Sequence, residues 1–246
     1  MQGLTAPSSI TWIDELITSH YAVSNNKFDI IIFDLGLSTN QLDNPKRGFS
    51  FMKNGPLDMN MGGSKIHAYE VVNDFSEKKL AKILFEFGEE KFAKRIARNI
   101  VKYRKIKFIN STIELSDLIN NSIPLVSSKK YKINPATKTF QALRIFVNDE
   151  LNELKIALNK SSHLLAKEGK LIVVSFQSLE DRIVKDYFNH NSGKRWRSSR
   201  HYPELVDKGP ITFKLITKKP IRPQVSEVQK NPRSRSAKLR VCQKIN

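Results

Sequence analysis

The stretch from Phe28 to Met61 reads FDIIIFDLGLSTNQLDNPKRGFSFMKNGPLDMNM, and it decides the fold class. Asp29 to Asp34 (DIIIFD) is apolar in its interior, which is typical of a parallel strand covered on both faces. Residues 35 to 65 contain five glycines and two prolines with little periodicity, which predicts a long ordered loop. Open α/β sheets bind ligands at the carboxyl ends of their strands, so we expect this loop to be functional.

Composition describes a folded, strongly basic chain. Its 246 residues are 39% hydrophobic, enough for a sizeable core, and 42 basic against 24 acidic residues give a net charge of +18. Such a charge favours a phosphate-rich partner such as a nucleic acid, although a generally lysine-rich proteome would also produce it.

Metal and membrane sites are not expected. A single cysteine, Cys242, and five histidines without close ligand spacing disfavour a structural zinc or histidine metal site. No apolar run reaches the roughly 18 residues of a membrane span, and the opening MQGLTAPSSI is unlike a signal peptide. The sequence predicts a cytoplasmic protein without a membrane segment.

Helical periodicity begins at Asp74, which with Glu77 predicts a capping box and a helix ending at Gly88. A cationic helix follows in EEKFAKRIARNIVKYRK, then a short helix from Thr112 to Ser122. The charges of the cationic helix fit either a solvated face or RNA contact. We predict an all-helical module over residues 66–134, inserted into an α/β domain formed by residues 1–65 and 135–246.

The remaining chain alternates helices and strands. We predict a strand at Ile10 to Ile13, a long helix from Pro135 to near Gly169, a strand over Lys170 to Phe176, a helix over Leu179 to His190, and strands over Ile211 to Thr217 and Lys238 to Gln243. This order matches the second half of a Rossmann-like sheet. No G-x-G occurs, and the absence of a Walker A motif excludes a P-loop nucleotidase.

Seven ordered motifs stand out along the chain: DLGLSTNQLD (34–43), RGFSF (47–51), GPLDMNM (55–61), FGEEKFAKRIARNIV (87–101), PATKTFQALRIFVNDEL (135–151), SFQSLEDRIVK (175–185) and NPRSRSAKLR (231–240). Together they resemble the MraW family of ribosomal RNA small subunit methyltransferases H, and the resemblance covers residues 28 to 246.

The resemblance implies a class I methyltransferase that uses S-adenosylmethionine to methylate N4 of a cytidine in the decoding region of 16S rRNA, in the small ribosomal subunit. An inserted helical module is also a feature of the family that the resemblance implies. A homodimer is a further candidate arrangement. Asp34 and Gln41 match family positions that contact the cofactor. The alternative for both is a structural role in an Asx-turn or a helix cap.

The implied chemistry needs an acceptor for a proton, because the lone pair of the cytosine N4 amine is drawn into the ring and the amine is a poor nucleophile. Asp34 and Asp58 are the candidate catalytic carboxylates, although Asp58 fits a structural hydrogen-bonding role equally well. Phe49 and Phe51 are candidates to stack on an extruded base, with core packing as the alternative.

Further basic and polar residues are candidates for contact with the RNA, with helix-surface pairing or a solvated tail as the alternative: Arg144, Asn148, Arg182, Arg233 and Arg235. In SFQSLEDR, Gln177 stands where the family usually has histidine, so a proton-transfer role at that position would be lost.

Family members carry about two more strands, a glycine-rich cofactor loop and an acidic ribose-binding residue upstream of the motifs found here. The sequence therefore predicts an incomplete Rossmann-like sheet. It belongs either to a methyltransferase whose sequence is given only in part or that works with a separately encoded N-terminal piece, or to a noncatalytic RNA-binding remnant or poorly folded pseudogene product. In both cases we expect unpaired sheet edges and exposed apolar surface.

Overall fold

The computed structural model describes residues 27–124, 134–194 and 210–245. The predicted strand Ile10 to Ile13 lies outside these residues. The described residues divide into two compact units. The sheet unit comprises residues 27–36 and 151–245, and the helical unit comprises residues 37–150, each with the gaps just given.

The helices of the described residues are short to medium in length. In chain order they are α1 (Thr39–Asp43), α2 (Ala68–Asp74), α3 (Glu77–Gly88), α4 (Ala93–Arg104), α5 (Thr112–Ser122), α6 (Ala136–Val147), α7 (Glu150–Leu164), α8 (Ser178–Asn191) and α9 (Val225–Lys230). Single 3₁₀ turns occur at Pro45–Arg47 and Pro232–Ser236.

The sheet unit contains four strands, β1 (Phe28–Asp34), β2 (Leu165–Ser175), β3 (Phe213–Leu215) and β4 (Lys238–Lys244), in the order β1-β2-β4-β3. β1 and β2 are parallel, whereas β4 is antiparallel to both of its neighbours. Together with the flanking helices, this confirms the predicted α/β, Rossmann-like fold class.

The core of the sheet unit lies between the sheet and the apolar faces of α7 and α8. Its buried residues are Leu154, Leu158, Leu165, Leu171, Val173, Val184, Phe188, Phe213 and Cys242. Burial raises the pKa of the Cys242 thiol, which therefore acts as an apolar core group. The prediction that β1 is covered on both faces is wrong, since the side chains on one face are exposed: Ile30 is 54% and Ile32 63% exposed.

The helical unit includes the loop that precedes α2. Phe49, Leu57 and Met59 lie in one core with residues of α3, α4, α5 and α6. Two hydrogen bonds add to this packing: the Thr112 amide donates to the Gly55 carbonyl at 2.9 Å, and the Gly55 amide donates to Thr112 Oγ1 at 3.0 Å. The predicted domain division at residues 65 and 135 stays a prediction. In the structure, residues 37–65 and 134–150 belong to the same compact unit as the helices that lie between them in the sequence.

Two helix predictions differ from the structure. α3 begins after Ser76, whose Oγ accepts a hydrogen bond from the Lys79 amide, so the predicted Asp74 cap is wrong. The long helix expected from Pro135 is two helices, α6 and α7. They are separated at Asn148 and Asp149, where Asp149 has a φ of 48° that an α-helix cannot contain.

Gly48 is required by a close approach of two loop segments. Its φ is 68°, and a Cβ there would lie 2.1 Å from the carbonyl oxygen of Pro56. We expect Gly48→Ala to destabilise the protein by about 2–3 kcal/mol, since both strain and overlap must be relieved. Urea denaturation measures this, with Gly63→Ala as the matched control, because a Cβ at Gly63 meets nothing within 4 Å. Equal midpoints for the two variants would contradict the expectation.

Candidate active site

Asp34 lies at the carboxyl end of β1, the position expected of a ligand-binding residue in such a sheet. It is opposite Val174 on β2, and the next residue, Leu35, donates its amide to the Val174 carbonyl at 3.0 Å. Gly36 then turns the chain with a φ of 110°. The Asp34 side chain is exposed. The sheet therefore fixes the backbone of Asp34 and leaves its carboxylate accessible.

Gln41 is in the first turn of α1 and forms a capping box with Ser38. The Ser38 amide donates to Gln41 Oε1 at 3.0 Å, and the Gln41 amide donates to Ser38 Oγ at 3.3 Å. The structural alternative for Gln41, a role in a helix cap, is thus present in the structure. Its side-chain Nε2 is the atom that remains to donate to a ligand.

The residues Leu57–Met61, here called the LDMNM loop, are held by backbone hydrogen bonds on both sides. Leu57 and Asp58 accept from the amides of Tyr69 and Ala68 at 2.7 and 2.9 Å. Met59 donates its amide to the Arg47 carbonyl at 3.0 Å. The start of α2 and the RGFSF segment therefore fix the loop.

Asn148 completes this support from the end of α6. Its Nδ2 donates to the carbonyls of Met59 (2.8 Å) and Arg144 (2.9 Å), and its Oδ1 accepts from the Met61 amide at 2.8 Å. Met59 is fully buried and has a φ of 56°, which is uncommon for a residue with a side chain. Asn148 thus holds a strained loop, and its predicted contact with RNA stays a prediction.

Asp58 forms a close pair with a residue that the sequence analysis did not select. Its Oδ1 lies 2.6 Å from Nδ1 of His67 and accepts from the Asn60 amide at 3.3 Å. His67 is the N-cap residue of α2, and its amide donates to Glu70 Oε2 at 2.8 Å. The only signal in the sequence was the closeness of His67 to the GPLDMNM motif.

Phe49 and Phe51 lie against the core of the helical unit. Phe49 is 6% exposed, with the Arg47 guanidinium 5.6 Å from its ring centroid. Phe51 is partly buried and meets Phe140 edge to face, with centroids 5.3 Å apart. The core-packing alternative is therefore present for both, and their stacking on a base stays a prediction.

The candidate RNA-contacting arginines differ in their surroundings. Arg144 forms a two-point ion pair with Glu150, at 2.7 and 2.9 Å, and both side chains are largely buried. Arg182, on α8, and Arg233 and Arg235, in the turn before β4, are exposed. Arg144 thus has a structural role in this ion pair, and contact of all four arginines with RNA stays a prediction.

Comparison with known proteins places the chain in a family. The model of the MraW methylase family matches residues 9–245. The chain belongs to the MraW methylase family. The prediction of a methyltransferase is thereby confirmed.

Two relatives of this family member carry the name ribosomal RNA small subunit methyltransferase H. The protein from Rickettsia africae is 48% identical over 224 residues, which are 91% of this chain and 72% of the relative. The protein from Caldicellulosiruptor saccharolyticus is 49% identical over 221 residues, which are 89% of this chain and 71% of the relative.

The SFQSLEDR segment of this MraW family member forms the start of α8. Glu180 Oε2 accepts from the amides of Phe176 and Gln177, at 3.1 and 3.2 Å, and so caps the helix. Gln177 is the N-cap residue. Its side-chain Oε1 is buried without a hydrogen-bond partner among the residues that the structure describes.

Asp181 joins α8 to β4 through a second family motif, NPRSRSAKLR. Its carboxylate accepts from Arg240 at 2.7 and 3.2 Å and from Lys238 at 3.1 Å. Burial alone would raise the pKa of Asp181, but the hydrogen bonds and charges of Arg240 and Lys238 outweigh it, and the pKa is lowered. These motif residues therefore stabilise the sheet unit.

We expect Asp181→Asn to destabilise the protein by about 3 kcal/mol at pH 7, because the substitution leaves the buried Arg240 without a charged partner. The lowered pKa means that the ionised carboxylate stabilises the fold above the ordinary aspartate pKa of about 3.9 and loses this effect as the pH falls through the folded-state value. Denaturation of both proteins from pH 7 to pH 2 measures the difference, which should shrink at the acid end. A constant difference would contradict the assignment.

Neither a metal centre nor a membrane span is evident in the described part of the chain. Residues 27–124, 134–194 and 210–245 contain no group of three or more histidine, cysteine, aspartate or glutamate side chains arranged to hold a metal ion. Within the same ranges, no helix has the length and apolar character needed to cross a membrane.

Proposed function

We propose that this chain transfers a methyl group from S-adenosylmethionine to N4 of a cytidine in the decoding region of 16S rRNA. The observation that carries the proposal is the exposed carboxylate of Asp34 at the carboxyl end of β1, in a member of the MraW methylase family. The names of the relatives supply the small-subunit rRNA as substrate class.

The residues present fit the methyl donor. Asp34 offers an exposed carboxylate, which suits a cationic or hydroxyl-bearing ligand, and Gln41 keeps its side-chain Nε2 as a donor while Oε1 caps α1. We assign both residues to the cofactor. When bound, S-adenosylmethionine supplies a methyl group activated by a positively charged sulfur.

The exocyclic amine must lose a proton during methylation. The candidate acceptors for this proton are the carboxylates of Asp34 and Asp58. Asp34 is accessible from solvent and is assigned to orient the amine or accept from it. Asp58 is less exposed and already pairs with His67. Its contribution to catalysis therefore involves that histidine.

The net charge of +18 and the exposed arginines favour a phosphate-rich substrate. We assign Arg182, Arg233 and Arg235 to contacts with the RNA backbone. The exposed cations of α4 are a further basic surface, on the helical unit. The homodimer considered from the family resemblance stays a prediction.

The decisive experiment incubates the chain with methyl-labelled S-adenosylmethionine and small ribosomal subunits or 16S rRNA that lack the modification. Nucleosides are then identified by mass spectrometry, with 23S rRNA as the control. We expect labelled N4-methylcytidine at one position of 16S rRNA. Label on another nucleoside would overturn the assigned substrate atom, and RNA binding without any label would favour the noncatalytic RNA-binding alternative.

A further inference from the structure

The loop that follows α4 presents large apolar side chains to solvent. Ile106 is 85% and Phe108 56% exposed, and they alternate with the exposed cations Lys105 and Lys107. Exposed apolar side chains that lie close together and are rimmed by polar groups mark interaction sites, whereas scattered ones need no explanation. Residues 105–108, here called the KIKF loop, are therefore a candidate binding surface of the helical unit.

The exposure of the KIKF loop does not come from a loosely held chain. Glu114 of α5 accepts from the Tyr103 hydroxyl and from the Asn110 amide, both at 2.9 Å. The buried Asn73 side chain donates to the Ile109 carbonyl at 2.9 Å and accepts from the Ile109 amide at 3.0 Å. The residues on both sides of the loop are thus fixed, so little of the protein has to become ordered when a ligand binds.

A row of cations on α4 leads to the KIKF loop. Arg95, Arg98 and Lys102 are exposed and follow one another at three- and four-residue spacing, so they share one face of the helix. Lys105 continues this spacing as the C-cap residue in helical conformation, and the row spans about 15 Å. The helix sequence AKRIARNIVKYR contains no acidic residue. Arg98 pairs with Glu77 at 3.7 Å, an exposed ion pair of the kind that contributes little and exchanges readily.

The charge of this surface favours RNA over a protein partner. Residues 102–108 read KYRKIKF, with four cations and no acidic residue. The centres of protein–protein interfaces are depleted of lysine, whereas single-stranded nucleic acid is bound by cations that follow its backbone and by aromatic rings that stack on its bases. Two of the four cations serve the fold, since Arg104 donates to backbone carbonyls of Val72 and Phe75 and Lys107 pairs with Glu114 at 3.1 Å.

We propose that the helical unit binds a single-stranded segment of the substrate RNA on this surface, an inference that rests on the proposed function for the identity of the RNA. The Phe108 ring stacks on a base, and Ile106 adds apolar contact beside it. The phosphates are bound by Arg95, Lys102 and Lys105. Every one of these side chains lies on α4 or on the loop that follows it.

The first test measures RNA affinity by fluorescence anisotropy with a labelled oligouridine of about 12 nucleotides and with an RNA duplex of the same length. We expect the full chain to bind the single strand more tightly, because the ring cannot stack on paired bases. Phe108→Leu keeps an apolar side chain but removes the ring, and it should weaken oligouridine binding roughly 10-fold, whereas Phe108→Trp should bind as the wild type does.

Phe85→Leu is the matched control for this test, since Phe85 is 65% exposed on α3 of the same unit. It should bind oligouridine with wild-type affinity. Because both rings are exposed, both leucine variants should also unfold at the wild-type urea concentration. Equal affinity of Phe108→Leu and the wild type, or equal affinity of the wild type for the single strand and the duplex, would overturn the stacking role.

The salt dependence of the affinity tests the phosphate contacts. In Lys102→Gln and in Lys105→Gln, the slope of the logarithm of the binding constant against the logarithm of salt concentration should decrease by about 0.7 for the contact that is lost. Phe108→Leu should leave this slope unchanged. Lys78→Gln, which alters an exposed lysine of α3, is the control. Wild-type slopes in both lysine variants would overturn the assignment of the phosphates to this row.

Phe108→Trp also reports where the RNA binds. We expect the fluorescence of the introduced indole to fall when oligouridine is added, beyond any change in the wild type, whose tryptophans are Trp12 and Trp196. Stacking on a base explains such quenching. Binding of RNA without it would place the RNA elsewhere on the protein and overturn the proposal.

Methylation assays separate this surface from the proposed function. We expect Phe108→Leu to raise KM for 16S rRNA severalfold with little change in kcat. A wild type that binds oligouridine through Phe108 but methylates no RNA would overturn the proposed function alone. Wild-type methylation with unchanged RNA affinity and KM in Phe108→Leu would overturn the binding surface alone. Activity of Phe108→Leu that is lost with intact small subunits but kept with free 16S rRNA would assign the loop to a protein partner and overturn RNA binding there.

Discussion

Asp34→Asn is expected to lower methyl transfer by roughly 10²–10⁴-fold, the range typical for loss of a group that binds and orients reactants or accepts a proton. The amide has nearly the same shape as the carboxylate but carries no charge and binds a proton poorly. Asp34 lies at the carboxyl end of β1 with an exposed side chain, so its removal should not disturb the core. The effect should therefore fall on activity and not on folding.

Asp29→Asn is the matched control for this prediction. Asp29 is also an exposed aspartate of β1, five residues earlier and near the amino end of the strand. The control should keep wild-type activity, and both variants should unfold at the wild-type urea concentration. Calorimetry with S-adenosylmethionine should show weaker binding for Asp34→Asn only. Equal activity of the two variants would remove Asp34 from the site.

Local signals in the sequence were sufficient for some elements. The helix predicted over Thr112 to Ser122 has these bounds in the structure, because Ser111 caps it through its own side chain and its apolar residues share one face. β1 was equally plain from its apolar run. In both cases, the information that defines the element lies within the element or next to it.

The elements that the sequence missed depend on distant residues. The break after α6 is accounted for by Asn148, which binds Met59 and Met61, 87 or more residues earlier in the chain. Nothing in the local pattern distinguishes this asparagine from a helix-surface residue. Likewise, α2 follows a glycine-rich stretch, and its apolar residues can be interpreted as one face of a helix only once the core that they pack into is known.

The same distinction applies to the candidate site. The position of Asp34 at the end of a strand followed from the sequence, since strand and loop are local features. The pairing of Asp58 with His67 did not, because it depends on how the LDMNM loop folds back on α2. The aromatic residues Phe49 and Phe51 show the reverse problem, since a ring beside a motif fits a stacking surface or a core equally well until its neighbours are known.

Asn148→Leu is expected to destabilise the protein by about 3 kcal/mol and to lower methyl transfer roughly 100-fold. Leucine fills a similar volume but cannot pair with the Met59 carbonyl, the Met61 amide or the Arg144 carbonyl, which Asn148 binds at 2.8–2.9 Å. The strained backbone of Met59, with a φ of 56°, persists because the surrounding contacts impose it. Without Asn148, the LDMNM loop should relax and move Asp58 away from its position beside His67.

Asn148→Asp separates the donor from the acceptor function of this side chain. The carboxylate can still accept from Met61 but cannot donate to Met59 and Arg144, so we expect a loss of stability close to that of the leucine variant. Asn121→Asp, an exposed asparagine of α5 in the same unit, controls for the added charge and should change stability by less than about 0.5 kcal/mol. Urea denaturation and the methylation assay measure both effects. If Asn148→Leu kept full activity despite reduced stability, the reaction would not require a rigid LDMNM loop. That outcome would contradict a catalytic role for Asp58.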